Sequence, residues 1–338
     1  MLDTHTAAVE QRVSTGSLPG WQDVDALVRD AYERERDDRA GDVARYIPSL
    51  ATAVPDQFGV AVVDVMGGAH DVGDAWTLFS IQSISKAFVY ALVADEVGHD
   101  AIGERIGVNN TGLGFNSVMA IELNEGHPMN PMVNAGAIAT TALIPGATAE
   151  EKWSRLAAAL SAFAGRHLAI DEAVYASESQ SNDRNRAIAR LLLSYGRLDD
   201  DPAEAVDLYT RQCSLLVSAH DLAVMGATLA DGGVNPVSGE QVVSGQVSRD
   251  TLAVLAASGL YEHSGEWLFE IGVPGKSGVS GGLVAIAPGK GAIGTFSPRL
   301  DAAGNSVRGQ RTAAHLSRVL GLNIFASRSA GDAAVEDV

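Results

Sequence analysis

The chain has 338 residues, a formal net charge of −18, 46% apolar and 20% charged residues, the composition of a soluble globular protein with room for one large domain or two small ones. That acidity argues against nucleic acid and anionic membrane surfaces as partners. The single cysteine, Cys213, excludes an internal disulfide. No basic segment leads into an apolar run near the N-terminus, and no stretch approaches the roughly 18–20 apolar residues of a membrane span, so a cytoplasmic protein is expected.

Residues 1–18 lack apolar periodicity and read as a loose N-terminal arm. Trp21 to Arg39 reads as an amphipathic helix with a charged, solvated end, and Tyr46-Ile47-Pro48 as the break after it. Gly59 to Val65 is a β-branched run ended by Met66-Gly67-Gly68, hence a strand and a turn, with room for a second strand before Asp74. Ile84, Phe88 and Leu92 recur at helical spacing, and Gly98 is a stop signal. The middle of the chain is mostly helical: Asn134 to Leu143, Glu150 to Ala164, Asp183 to Tyr195, Pro202 to Gln212, Ala219 to Ala230 and Ser248 to Ala257. Trp267 to Val273, Gly282 to Ala287 and Ala292 to Phe296 are short apolar runs between glycine-containing turns and read as strands. Val307 to Leu320 is a final amphipathic helix, and the small, acidic residues from Ser327 on read as frayed.

Strands therefore lie early and late, with helices between. This predicts an α/β protein of the α+β type: one antiparallel sheet flanked by helices, with a helical insertion forming the other wall of a cleft.

The chemistry concentrates on Ser83 and Lys86. A Ser-x-x-Lys spacing puts both side chains on one face of a helix turn, where an amine can take the hydroxyl proton without a histidine. A lysine does this near neutral pH only when burial or a second cation lowers its pKa, and Lys276, in Lys276-Ser277-Gly278, is available as that cation. With Ser83 in the first turn of a core helix, its own N–H would help to hold an oxyanion. A serine hydrolase working through an acyl-enzyme is the chemistry this pairing suggests. The same pair also occurs by chance in helices, and its surroundings decide the matter.

Those surroundings are similar to a known family. Ser-x-x-Lys followed far downstream by Lys-Ser-Gly looks like the penicillin-binding protein and serine β-lactamase fold. The finer match is to another branch of it. Tyr46-Ile47-Pro48-Ser49-Leu50-Ala51, Gln82-Ser83-Ile84-Ser85-Lys86, Asn130-Pro131-Met132-Val133-Asn134-Ala135-Gly136-Ala137 and Ser177 to Asn185 resemble the serine-dependent glutaminase family. So do Tyr209 with Gln212-Cys213-Ser214, Gly259-Leu260-Tyr261 and Lys276 to Gly282, in the family's order over roughly residues 20–325. The resemblance implies a β-lactamase-like fold and hydrolysis of L-glutamine to L-glutamate and ammonia, with no cofactor and no metal. It implies Ser83 as nucleophile, Lys86 as base, Tyr261 as second proton-transfer group, and the N–H groups of Ser83 and Val279 as oxyanion hole. It implies Tyr46, Asn134, Glu178, Asn185 and Tyr209 as the grip on the substrate's amino-acid end. It further implies one catalytic domain over 19–326 (sheet part about 19–97 and 256–326, helical part about 98–255), an acidic tail at 327–338, and a homo-oligomer, dimer or tetramer. Ser117 departs from vertebrate kidney-type relatives, which carry a lysine near that position.

Each assignment has a plainer competitor. Tyr46 would merely staple a helix end, Asn134 would cap a helix, Glu178 would be an exposed carboxylate, and Asn185 would sit in a local salt-bridge turn. Tyr209 and Tyr261 would be half-buried aromatics, and Cys213 a small buried residue. The eight histidines are scattered without metal-site spacing. Two rival functions remain: a cell-wall D,D-peptidase or β-lactamase on the same fold, and a catalytically silent amino-acid binder.

Overall fold

In the computed structural model, which describes residues 5, 6, 8–10, 12, 18–45, 47–199 and 201–327, the run at 59–64 forms strand β1 (Gly59–Asp64). It pairs with β2 (Ala69–Gly73) on one side and β5 (Gly291–Phe296) on the other. With β4 (Gly282–Ala287) and β3 (Gly275–Ser277) these make a five-stranded antiparallel sheet in the order β2-β1-β5-β4-β3. Early and late strands thus meet in one sheet, with Val62 opposite Ile293. Most of the expected arm, and the expected tail beyond Ser327, lie outside the described residues.

Side chains alternate across a strand, and here both faces are covered. Val60 and Val62 pack with Val24 and Val28 of α1 (Trp21–Glu35) and with Ala313 and Leu316 of α11 (Val307–Val319). Ala61 and Val63 face the other way, into the core that contains Leu222 and Val224 of α8 (Ala219–Ala230). Gly294 lets α8 lie close on the sheet: a Cβ there would fall 2.0 Å from the Ala219 carbonyl oxygen. Of the other longer helices, α2 (Ser85–Val97), α3 (Asn134–Ala142), α4 (Ala149–Ala164), α6 (Asp183–Ser194), α7 (Pro202–Cys213) and α9 (Gly245–Ser258) lie largely where periodicity places them, whereas α5 (Glu172–Ser181) was not expected and α10 (Ser264–Glu270) replaces an expected strand. Gly98 ends α2 at φ 84°, as its sequence position suggested. No described helix is long and apolar enough to cross a membrane.

Four local expectations are overturned. Residues 267–273 are not a strand: α10 covers 264–270, burying Trp267 while Phe269 is exposed, a helical rather than an alternating pattern. Ser83 lies in a tight turn, Gln82–Ile84, and the α-helix proper begins at Ser85. That helix is buried all round from Ser85 to Ala94 rather than along one face, as suits an element at the centre of the molecule. Asn134 is the first residue of α3 and not its cap, so its amide is free of capping duty.

One buried cation ties the layers together. Arg308 is fully buried, donates to the Gln57 and Pro55 carbonyls at 2.6 and 3.0 Å and to Ser297 Oγ at 2.8 Å, and lies over the Phe58 ring. Arg308→Met strands several carbonyls without donors, at about 1–3 kcal/mol each. A loss of at least about 3 kcal/mol in urea unfolding is expected, with Arg308→Lys in between because it keeps the charge but not the fork. A change under about 1 kcal/mol in Arg308→Met would contradict this reading of the clamp.

Candidate active site

A short extended segment, Phe79–Ser80, leads into the turn that carries Ser83. Gln82 occupies the left-handed region there, φ 51°, a conformation that costs a residue with a Cβ roughly 1–3 kcal/mol. Lys86 follows on the first turn of α2, 1% exposed. Its amine donates to the Met132 carbonyl at 3.1 Å and to Asn134 Oδ1 at 2.7 Å. Burial lowers its pKa to about 8.

Tyr261 approaches Ser83 from the far side. It also has positive φ, 56°; its hydroxyl donates to the Ser277 carbonyl at 3.2 Å and lies near the Ser83 side chain. Burial pushes the phenol up to about 12. Lys276 lies on β3 with its amine 4.1 Å from the Tyr261 ring centroid, donating to the Ser277 carbonyl at 2.8 Å. Burial, and next the Lys86 charge, push the Lys276 amine well below its usual range, while desolvation is the main cause of the Lys86 shift.

Beyond β3, Gly278 and Gly281 close a turn that places Val279 beside Ser83 on the cleft wall. A Cβ on Gly278 would stand 3.0 Å from the Ile81 carbonyl, so the close approach of this turn to the Ser83 turn favours glycine.

The cleft encloses about 310 Å³ and is lined by Ser83, Asn134, Glu178, Asn185, Tyr209 and Val279, among others. Glu178, on α5, is buried and not the exposed carboxylate of the plainer reading; burial raises it to about 7, opposed by a hydrogen bond from Gln82 Nε2 at 2.6 Å. Asn134 Nδ2 donates to Asn185 Oδ1 at 3.0 Å, and Asn185 Nδ2 to Asn182 Oδ1 at 3.1 Å. Asn182 Nδ2 in turn reaches Thr210 Oγ1 at 2.6 Å. Each of these amides spends one hydrogen in the chain and keeps a second for a ligand. The Tyr209 hydroxyl lies 3.5 Å from Asn134 Oδ1, and burial holds its phenol well above the usual range. Lys86 and Tyr261 lie behind Ser83, outside the cavity lining.

The structure thus gathers eight of the nine residues that the resemblance implies as site residues. The ninth, Tyr46, lies outside the described residues. Sequence reasoning missed Gln82, Asn182, Phe115 and Arg184, which also line the cleft. Arg184 Nε donates to the Asn116 carbonyl at 3.0 Å, tying α6 to the segment around Phe115. Gln82 and Asn182 sit inside the quoted motifs, so proximity to Ser83 and Asn185 was the available signal. Cys213 is buried as expected, its thiol pushed up to about 12, but it also forms part of the cleft lining. Among the described residues no group of three or more His, Cys, Asp or Glu side chains converges as a metal site would require.

The Glutaminase family model matches residues 41–325. Glutaminase 2 of Yersinia pestis is 53% identical over 93% of this chain and 93% of its own. A glutaminase of Brucella canis is 51% identical over 85% of this chain and 91% of its own. Among solved structures, the probable glutaminase YbaS superposes with a TM-score of 0.90 at 43% identity, covering 91% of this chain and all of its own. A structure of Mglu in its glutamate form gives 0.86 at 40% identity, covering 93% of this chain and 72% of that one.

Proposed function

The chain belongs to the glutaminase family, and on that premise we propose that it hydrolyses the side-chain carboxamide of L-glutamine through a glutamyl-Ser83 acyl-enzyme. The observation that carries the mechanism is the environment of Lys86. A neutral lysine amine has two hydrogens, and two acceptors, Met132 O and Asn134 Oδ1, stand ready for them. The lone pair is then left for the Ser83 hydroxyl one turn away. An amine with a pKa of about 8 is neutral often enough to act so.

Substrate placement follows from charge. Glu178 pairs with the α-ammonium, and the spare amide hydrogens of Asn134 and Asn185, with the Tyr209 hydroxyl, hold the α-carboxylate. Ser83 attacks the amide carbon, and the oxyanion is held by the N–H groups of Ser83 and Val279, each such donor being worth roughly 3–4 kcal/mol in comparable sites. Tyr261, near Ser83, passes a proton to the departing ammonia; water then attacks the ester with the same groups as base. Asparagine, one methylene shorter, does not bring its carboxamide to Ser83 when its α-groups are clamped. Residues 19–326 would form the single catalytic unit.

The test is ammonia release from L-glutamine, with L-asparagine and D-glutamine in parallel. Release from L-glutamine alone is expected; release from none of the three would favour the silent binder. Hydrolysis of a chromogenic cephalosporin would favour the β-lactamase reading.

A pH profile follows from the two shifted groups. In the free protein the productive form has Glu178 ionised and Lys86 neutral. Glu178 with its raised pKa is protonated below about 7, and Lys86 with its lowered pKa loses its proton above about 8. So kcat/KM rises from acid pH in two steps and levels above the second. Glu178→Gln removes the first step and raises KM by about ten- to a hundredfold. A flat kcat/KM from about pH 6 to 9 would contradict both assignments.

A further inference from the structure

Between α2, α7 and α3 lies a chain of three uncharged polar side chains, Ser85, Gln212 and Thr141, each 0% exposed. Ser85 Oγ donates to the Gln82 carbonyl at 2.7 Å. Gln212 Nε2 donates to Ser85 Oγ at 3.3 Å, and Thr141 Oγ1 lies 2.9 Å from both Gln212 Oε1 and the Ala137 carbonyl, which share its one hydrogen. Burying such groups costs free energy that their hydrogen bonds return only in part, and Ala, Met and Val would fill similar space without that cost.

The end of this chain at Gln82 indicates its purpose. Gln82 immediately precedes Ser83 and is held at φ 51°, a conformation that persists only where the surroundings over-determine it. Its carbonyl accepts from both the N–H and the hydroxyl of Ser85, and its side chain is fixed on Glu178. Each of the three helices also carries a group of the site: Lys86, behind Ser83, on α2, and the cleft-lining Asn134 on α3 and Tyr209 on α7. The chain therefore fixes the strained turn and the three helices around it with respect to one another.

We infer that Ser85, Gln212 and Thr141 are positioning residues that hold the Ser83 turn in its left-handed conformation and set α2 against α3 and α7, so that the Ser83 hydroxyl meets the substrate amide with Lys86 behind it. The inference rests on Ser83 being the nucleophile of glutamine hydrolysis. None of the three residues touches the substrate; they act through Gln82 and Lys86.

The experiment compares wild type with Ser85→Ala, Gln212→Met and the double variant, measuring kcat on L-glutamine and the Kd for L-glutamate. In each single variant kcat falls about ten- to a hundredfold, as expected of a misplaced nucleophile, while the Kd stays within about threefold. The double variant is no slower than the worse single one, because the two residues act in series. A folded Ser85→Ala with kcat within about twofold of wild type overturns the inference. So do losses that multiply in the double variant, or a kcat and a Kd that deteriorate together, which mark general loosening. Should Ser85→Ala not fold, Thr141→Val, nearly the same shape, is read in the same way, and a wild-type kcat in it overturns the inference. A wild type that releases no ammonia from L-glutamine marks failure of the glutaminase reading, and the inference falls with it.

Discussion

Ser83→Ala is expected to lower kcat on L-glutamine by at least about 10³-fold while leaving the Kd for L-glutamate within a fewfold of wild type. The substitution removes one oxygen and nothing that the substrate's charged ends touch. Glu178, Asn134, Asn185 and Tyr209 keep their places, because their hydrogen bonds run to Gln82, Asn182 and one another rather than to the Ser83 hydroxyl. Residual catalysis would come from the oxyanion donors and the clamp acting on a direct attack by water. Isothermal titration with L-glutamate and ammonia release on the same preparation separate the two effects. Turnover within about tenfold of wild type would remove Ser83 from the chemistry.

Lys86→Met is expected to lower kcat by about 10²- to 10⁴-fold, the range of a lost general base. The cause is proton transfer and not binding, so the residual rate should lose the rise that wild type shows near pH 8, where the Lys86 amine titrates. The sign is fixed by burial: desolvation disfavours the charged amine, so the neutral base gains population as pH rises through that value. Lys86→Arg should be no better than Lys86→Met, since a guanidinium stays protonated and cannot accept a proton. Lys86→Met leaves the Met132 carbonyl and Asn134 Oδ1 without their present donor, and Lys86→Arg must fit a larger group there, so rates are to be referred to folded, glutamate-binding protein. A Lys86→Met variant that keeps the wild-type pH profile would assign that ionisation elsewhere.

The parts of this arrangement legible in the sequence are those that local spacing determines. Ser83 and Lys86 stand about one turn apart at the entry to α2 because their positions differ by three, and the alternating or β-branched runs at 59–64, 282–287 and 291–296 became strands. Where a short apolar run fits both periods, spacing does not decide: Trp267 to Val273 reads as a strand but packs as a helix that buries Trp267 and leaves Phe269 in solvent. Asn134 looks like a cap because caps are common, yet its amide is engaged by Lys86 and Asn185, two elements remote in sequence. Gln82 was passed over because nothing local marks a left-handed backbone or a bond to Glu178, 96 positions on. The depth at which Lys276 is buried is likewise set only by the fold, and that burial lowers the pKa of its amine well below the usual range.

The measurement that bears most directly on the acyl-enzyme is turnover of L-glutamine in the presence of hydroxylamine, a nucleophile that competes with water for an ester. If a glutamyl-Ser83 ester forms, γ-glutamyl hydroxamate should appear at the expense of L-glutamate while ammonia release does not fall, and Ser83→Ala should form none. Continued ammonia release with no hydroxamate at any hydroxylamine concentration, or hydroxamate formed equally well by Ser83→Ala, would contradict the account.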